Sequence, residues 1–307
     1  MKQSVVRYKA KSGLSLRKLR DRVCGVAEIA SDRVVVKLTE QIRFQRCPLA
    51  GIDAMAAATT RTFPRHTHDQ YGMGVIDSGG HASSSDRGQV EAGPGSLIFV
   101  NPGEVHDGRP IGRRARSWRM LYLDPTLMEE LRADVLDGAN PSFTFAAPVF
   151  VDENLHRLFD AAFAHAAAKE GLGDAMECET ALLRLAARME VNGTARSRRS
   201  VGPAPSTRRV RDRIDADPST RLTLAGLAGE VGLSRFQLLR GFARDLGLTP
   251  HAYILQRRIA LARRLIRAGR APAEAAVAAG FYDQSHLNRC FTRQFGVTPS
   301  RYASGAG

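Results

Sequence analysis

The sequence predicts an α+β chain of two domains: a β-barrel with helices following it, then an all-α unit built from two helix-turn-helix elements. Three observations carry that prediction. Between about residues 51 and 151, short apolar runs are broken by glycine and proline, the punctuation of an antiparallel barrel or sandwich. From Leu155 onward the apolar period becomes that of helices. Two stretches offset by 49 residues, LLRGFARDLGLTPHAY (Leu238 to Tyr253) and LNRCFTRQFGVTPSRY (Leu287 to Tyr302), match at eight of sixteen positions, which marks one structural unit used twice.

The 307 residues leave room for about two domains, each with a core of its own. Charge is divided along the chain. Residues 1–46 hold 12 basic and 4 acidic side chains, residues 47–196 hold 14 and 20, and residues 197–307 hold 19 and 7. The repeat therefore lies in a strongly basic domain, as a polyanion-binding unit would. Cys24, Cys47, Cys178 and Cys290 form no C-x-x-C pair, which argues against a zinc finger or a disulfide framework and suits a reducing compartment. No apolar run approaches the roughly 18 residues of a membrane helix, and the basic N-terminus lacks an adjoining apolar segment. The expectation is a cytoplasmic protein with no membrane partner.

The first 45 residues are basic. Leu14 to Arg22 reads as a short helix and Arg33 to Leu38 as a strand, and no function is assigned to this extension. Residues 46–150 read as the barrel, from the runs Tyr71 to Ile76, Leu97 to Val100 and Trp118 to Leu123 with Gly79-Gly80, Gly93-Pro94-Gly95 and Asn101-Pro102-Gly103 between them. Residues 151–194 carry two helical stripes, Leu155, Leu158, Phe159, Ala162, Phe163, Ala166 and then Leu182, Leu185, Ala186, Met189. These stripes pack on the barrel, and one is a candidate dimer face. Residues 195–207 are polar and broken by glycine and proline, as an interdomain linker is.

Residues 208–303 make the basic domain. Thr223 caps a first short helix, Gly232 supplies the turn, and Ser234-Arg235-Phe236-Gln237 has the form of a capping box that starts the next. Leu238 and Phe242 face inward there, leaving Arg235, Phe236, Leu239 and Arg240 on or near the outside. In the second copy Gly280 makes the turn and Asp283 caps a helix whose core stripe is Leu287, Phe291 and Phe295, with Gln284, Ser285, Asn288 and Arg289 outward. Thr249-Pro250 starts a connecting helix with Leu255, Ile259, Ala262 and Ile266 buried and Arg257, Arg258, Arg263, Arg264 and Arg267 on its polar surface. Two reading helices on one DNA face are spaced by one helical turn, about 34 Å.

Residues 209–303, and GFYDQSHLNRCFTRQFGVTPSRY (Gly280 to Tyr302) above all, resemble the DNA-binding domain of the AraC family of bacterial transcription regulators. The resemblance implies double-stranded promoter DNA as partner. It assigns base or backbone contacts to Arg235, Phe236, Leu239 and Arg240 in the first unit and to Gln284, Ser285, His286, Asn288 and Arg289 in the second. Leu239 departs from the polar residue often found at its position, which thins hydrogen-bond readout in the first half. His66-Thr67-His68, followed by Gly95 and by Pro102-Gly103-Glu104-Val105-His106, resembles the two motifs of the cupin barrel, the usual ligand-binding half of such regulators. GEVHDGRP (Gly103 to Pro110) and WRMLYLDP (Trp118 to Pro125) are similar to segments of those ligand domains.

By that resemblance a small-molecule effector binds among His66, His68, Tyr71, His106, Arg109 and Trp118, with the Arg109 fork suited to a carboxylate. Metal-binding cupins add a glutamate after the first pair, where this chain has Gly72 and Met73. Three imidazoles could still hold zinc, iron or nickel with a solvent ligand; the expectation is polar pocket lining, with no metal and no cofactor. Phosphate-cradling loops, a nucleophile elbow and H-E-x-x-H are absent from the sequence, so no catalytic residue is expected. The resemblance further implies a homodimer and an activator that touches RNA polymerase. The alternative is a metal-dependent cupin enzyme fused to a DNA-binding domain.

Overall fold

A computed structural model describes residues 41–85, 87–136, 143–168, 175–191 and 203–305. The helix and strand expected at Leu14 to Arg22 and Arg33 to Leu38, and most of the expected linker, lie outside these residues. Among the described residues the strands are β1 (Gln41–Arg46), β2 (Ile52–Thr59), β3 (Phe63–His66), β4 (Tyr71–Ser78), β5 (His81–Ser85), β6 (Gly88–Ala92), β7 (Leu97–Val100), β8 (His106–Pro110), β9 (Arg116–Leu123) and, after the first helix, β10 (Val149–Phe150). The helices are α1 (Pro125–Val135), α2 (Glu153–Ala166), α3 (Ala175–Val191), α4 (Pro205–Ala216), α5 (Leu224–Glu230), α6 (Arg235–Leu246), α7 (Pro250–Arg267), α8 (Pro272–Ala278), α9 (Gln284–Phe295) and α10 (Pro299–Ser304). Among the described residues no helix is long and apolar enough to cross a membrane.

The strands form a six-stranded sheet, β1-β2-β9-β4-β7-β10, facing a four-stranded one, β3-β8-β5-β6, and the strand pairs are antiparallel. Strand β1 pairs with β2 from Gln41 onward, so the barrel begins ahead of the boundary placed at residue 46. Gly74 permits the closest packing in the sheet, because a Cβ there would lie 2.1 Å from the Met120 sulfur and 2.3 Å from the Arg119 carbonyl.

The large sheet separates two cores. Alternation on β4 and β9 sends Met73, Val75, Leu121 and Leu123 to one face and Ile76, Trp118 and Met120 to the other, as the period of two requires. The first face packs under α1, α2 and α3. Both helical stripes, from Leu155 to Ala166 and from Leu182 to Met189, are consumed in that core. This corrects the expectation that one serves as a dimer face, since a stripe buried within its own chain has no surface to offer. Helix α1 was not anticipated, nor was α4, which starts at Pro205 inside the segment read as linker and buries Val210 and Ile214.

The second face opens toward the C-terminal helices. One continuous core joins Phe44, Met55, Phe63 and Trp118 to Ile259, Ile266, Phe281, Leu287, Phe291 and Tyr302. The first helix-turn-helix unit keeps a separate core of Val210, Ile214, Leu227, Leu238, Phe242 and Ile254. Helix α7 spans both, with Ile254 in the one and Ile259, Ala262 and Ile266 in the other.

The arginines of α7 were expected on a polar surface, and the structure corrects this. Arg263 is buried at 3 % exposure and ion-paired with Asp53 at 2.7 Å and Asp69 at 2.8 Å, and it donates to Gln70. Arg264 pairs with Asp69, and Arg267 reaches Asp53, Asp124 and the Ile52 carbonyl. Arg258 donates to the carbonyls of Pro218, Thr220 and Gly280. A helical wheel of α7 alone cannot show this, because the acidic partners come from the barrel and from distant turns.

Candidate effector cavity and DNA-reading surface

A cavity of about 90 Å³ lies between the sheets and the C-terminal helices. Of the six residues expected there, His66, His68, His106 and Trp118 line it. Strand β3 ends at His66 and carries an irregular register opposite β8, so His68 stands beyond the strand. The pair converges nevertheless: the Nε2 atoms of His66 and His68 are 3.2 Å apart, and the His106 ring lies 4.5 Å from that of His66.

Tyr71 and Arg109 lie elsewhere. On β4 Tyr71 shares a face with Met73 and Val75, packs on Phe143 and Phe145, and donates to the Phe143 carbonyl. Arg109 alternates away from His106 and Gly108 on β8 and is not among the lining residues. For Tyr71 the parity of its strand, legible in the sequence, already gives this separation; for Arg109 it does not, since Asp107 has the same parity and lines the cavity.

Parity also points to the residues that sequence reasoning missed. On β9 Arg116, Trp118, Met120 and Tyr122 share one face, and all four line the cavity together with His81. Arg116 is 1 % exposed. Its Nε, Nη1 and Nη2 have no hydrogen-bond partner among the described residues, and its guanidinium lies 4.8 Å over the Trp118 ring. Burial pulls its pKa down to about 10, and an unpaired ion so placed costs several kcal/mol. From the other side, Gln294 and Phe295 of α9 complete the lining. Gln294 donates to the Thr67 carbonyl while its Oε1 is unpartnered.

Burial keeps the cavity imidazoles neutral. It takes His66 to about 3, helped by His106, and His106 to about 4. His81 falls to about 3, burial again leading and Arg116 adding to it, and His68 is held well below its usual value by burial and then His66. The Nδ1 atoms of His66 and His106 face the carbonyls of Pro64 and Glu104 at 2.7 and 3.1 Å. Donation there puts the lone pair of each ring on Nε2, and that of His66 faces the His68 Nε2. The ligating atoms of His66, His68 and His106 lie within 4.8 Å of one another, so the fold brings together the three imidazoles of the two motifs.

On the basic domain, Arg235, Phe236, Arg240, Gln284, Ser285 and Arg289 are exposed, and Leu239, His286 and Asn288 are half-buried. Ser234 and Gln237 form the reciprocal capping box of α6, and Asp283 caps α9 through the His286 amide. Gly247 and Gly296 end these helices at φ of 69° and 76°, the left-handed conformation that glycine adopts freely. Arg240 lies 5.5 Å over the Phe236 ring, and His286 meets the ring of Phe281 edge-on.

The model of the AraC-like ligand binding domain matches residues 49–186, and that of a helix-turn-helix domain matches residues 227–305. The chain belongs to the AraC family of transcription regulators. An HTH-type transcriptional regulator of Bacillus subtilis, YbfI, is 28 % identical over 227 residues, covering 73 % of this chain and 81 % of its own. The virulence regulon transcriptional activator VirF of Yersinia enterocolitica is 38 % identical over 72 residues, 23 % of this chain and 26 % of that one. ToxT of Vibrio cholerae bound to an unsaturated fatty acid shares the fold, with a TM-score of 0.51 at 12 % identity over 87 % of this chain and 96 % of that one. AraC-type regulators pair an effector-binding domain with a helix-turn-helix domain that binds DNA, and both are present here in that order. The relatives are regulators, and the reading as a cupin enzyme draws no support from them.

Proposed function

We propose that this regulator binds promoter DNA through α6 and α9 and senses its effector in the cavity between barrel and second helix-turn-helix unit. The observation that carries this reading is the shared lining: Gln294 and Phe295 belong to the helix that bears Gln284, Ser285 and Arg289, and they close the cavity holding His66 and His68. A ligand seated there touches the base of a reading helix, so it has different contacts in any arrangement where that helix sits differently. Such differential contact is what shifting an equilibrium between DNA-binding states requires. That ToxT is recorded with a fatty acid bound supports a small ligand in this fold.

In this reading Arg235, Arg240, Gln284, Ser285 and Arg289 meet bases and phosphates, with Phe236, Leu239, His286 and Asn288 at the edges. Residues 41–150 form the sensing barrel, 151–191 its helical cover and 203–305 the DNA grip. The chain acts in the cytoplasm as a homodimeric activator that touches RNA polymerase; the name of VirF as an activator supports the sign. Footprinting of the full chain on the promoter upstream of its own gene tests DNA binding, with a protected repeat expected and only salt-labile, sequence-blind association refuting it. A small-molecule extract of the source cells is expected to shift both melting temperature and footprint; no shift from any fraction refutes the effector.

A further inference from the structure

Five charged side chains are buried among the described residues: Asp53, Glu104, Arg116, Arg132 and Arg263. Four are paired, Asp53 with Arg263, Glu104 with Arg87 and Arg132 with Glu190. Arg116 alone has no partner for any of its guanidinium nitrogens. The two carboxylates that line the cavity are engaged elsewhere: Glu104 Oε2 accepts from Arg87 and Asn101, and Asp107 Oδ1 accepts from the Ser84 amide. Among the described residues the fold therefore builds a cationic fork into a cavity and supplies no internal anion to meet it.

The rest of the cavity describes what such an anion is attached to. Trp118 covers one face of the guanidinium, which leaves the edge of the fork for two-point pairing. The walls nearby are apolar, from Phe63, Ile98, Met120 and Phe295, and unsuited to a fully hydrated inorganic ion. The volume, about 90 Å³, is smaller than the roughly 150 Å³ apolar cavity that accepts benzene, so the ligand is compact.

We propose that Arg116 is the anion anchor of the effector cavity and that the effector is a compact organic acid, its carboxylate on the guanidinium and its apolar body toward Trp118 and Phe295. This rests on the reading of the cavity as the effector site. Arg109, the arginine that the motif suggests for a carboxylate, is replaced in this role by Arg116.

The test titrates the full chain with propionate and butyrate, with the neutral propionamide and butyramide, and with inorganic phosphate, followed by calorimetry and melting temperature. Each acid is expected to bind at least tenfold more tightly than its amide, and phosphate not at all. Arg116→Met erases the preference for acid, while its melting temperature without ligand equals or exceeds that of the unaltered chain, since it removes an unpaired buried charge. If Arg116→Met fails to fold, Arg116→Lys, which keeps the charge but not the fork, is expected to weaken acid binding while leaving the amides unchanged. Amides that match the acids, phosphate that matches them, acids that do not bind, or a variant of Arg116 that keeps the full preference would each overturn the proposal. Cell extract split on an anion exchanger separates this failure from failure of the effector reading. A shift confined to the neutral fraction removes the acid and keeps the effector, and no shift in either fraction removes both.

Discussion

Arg289 stands exposed on α9, one turn beyond Ser285, and makes no ion pair among the described residues. A free guanidinium fork at that place is suited to two-point contact with guanine. Arg289→Ala is expected to lower operator affinity by about 1 to 3 kcal/mol and to relax one base preference. Equal binding of the variant across a set of single-base operator changes would remove the residue from the reading surface. Inside the cavity His81 carries a different prediction. Its folded pKa, about 3, lies below the unfolded value, so between the two the unfolded chain holds the extra proton. Stability from this ring is therefore complete above about pH 6.5 and is lost as pH falls toward its folded value. At pH 5 the loss is about 1 to 2 kcal/mol from His81. Urea titrations at several pH values should show His81→Gln with a slope smaller by about one proton, and identical slopes would contradict it.

At the scale of elements, α7 is the informative case. Read alone it has an apolar stripe and a row of arginines, and the stripe agrees with the structure except that Ile254 replaces Leu255 as the more buried residue. The row proves to be a clasp. Arg263 pairs across the chain with Asp53 and Asp69, and Tyr302 of α10 donates to the same Asp53 at 3.0 Å. Removing one partner of such a buried set leaves charge uncompensated, so Arg263→Met is expected to cost about 3 to 5 kcal/mol, measured by denaturant unfolding. A loss under about 1 kcal/mol would mean that the clasp is not what holds α7 to the barrel. Capping, by contrast, was legible at once. Ser234-Arg235-Phe236-Gln237 and Thr249-Pro250 act locally, and each forms the cap that its spelling indicates.

For the whole molecule, the arrangement of cores matters more than the count of domains. The second helix-turn-helix unit shares its core with the barrel, whereas the first has its own and joins through α7. Hydrogen exchange is expected to show α9 and α10 protected together with β2 and β9, and α5 and α6 opening separately at lower free energy. Matched protection of α6 and α9 would contradict that division. In the proposed function the consequence for regulation is asymmetric: an effector in the cavity would act first on the unit bearing Gln284, Ser285 and Arg289, and through α7 on the other.

Short-range chemistry is open to reading along the chain. The doubled helix-turn-helix unit, its caps and glycine turns, the barrel punctuation and the convergence of His66, His68 and His106 all follow from local spacing or from motifs. Tertiary structure alone decided which charges meet and which do not. Arg263 and Arg116 are both arginines in ordinary amphipathic surroundings, yet folding gives one two carboxylates and gives the other an aromatic face and, among the described residues, no anion. The physical reason is that the interaction of a charge depends on partners brought within a few ångströms from far along the chain, and on the water excluded around them.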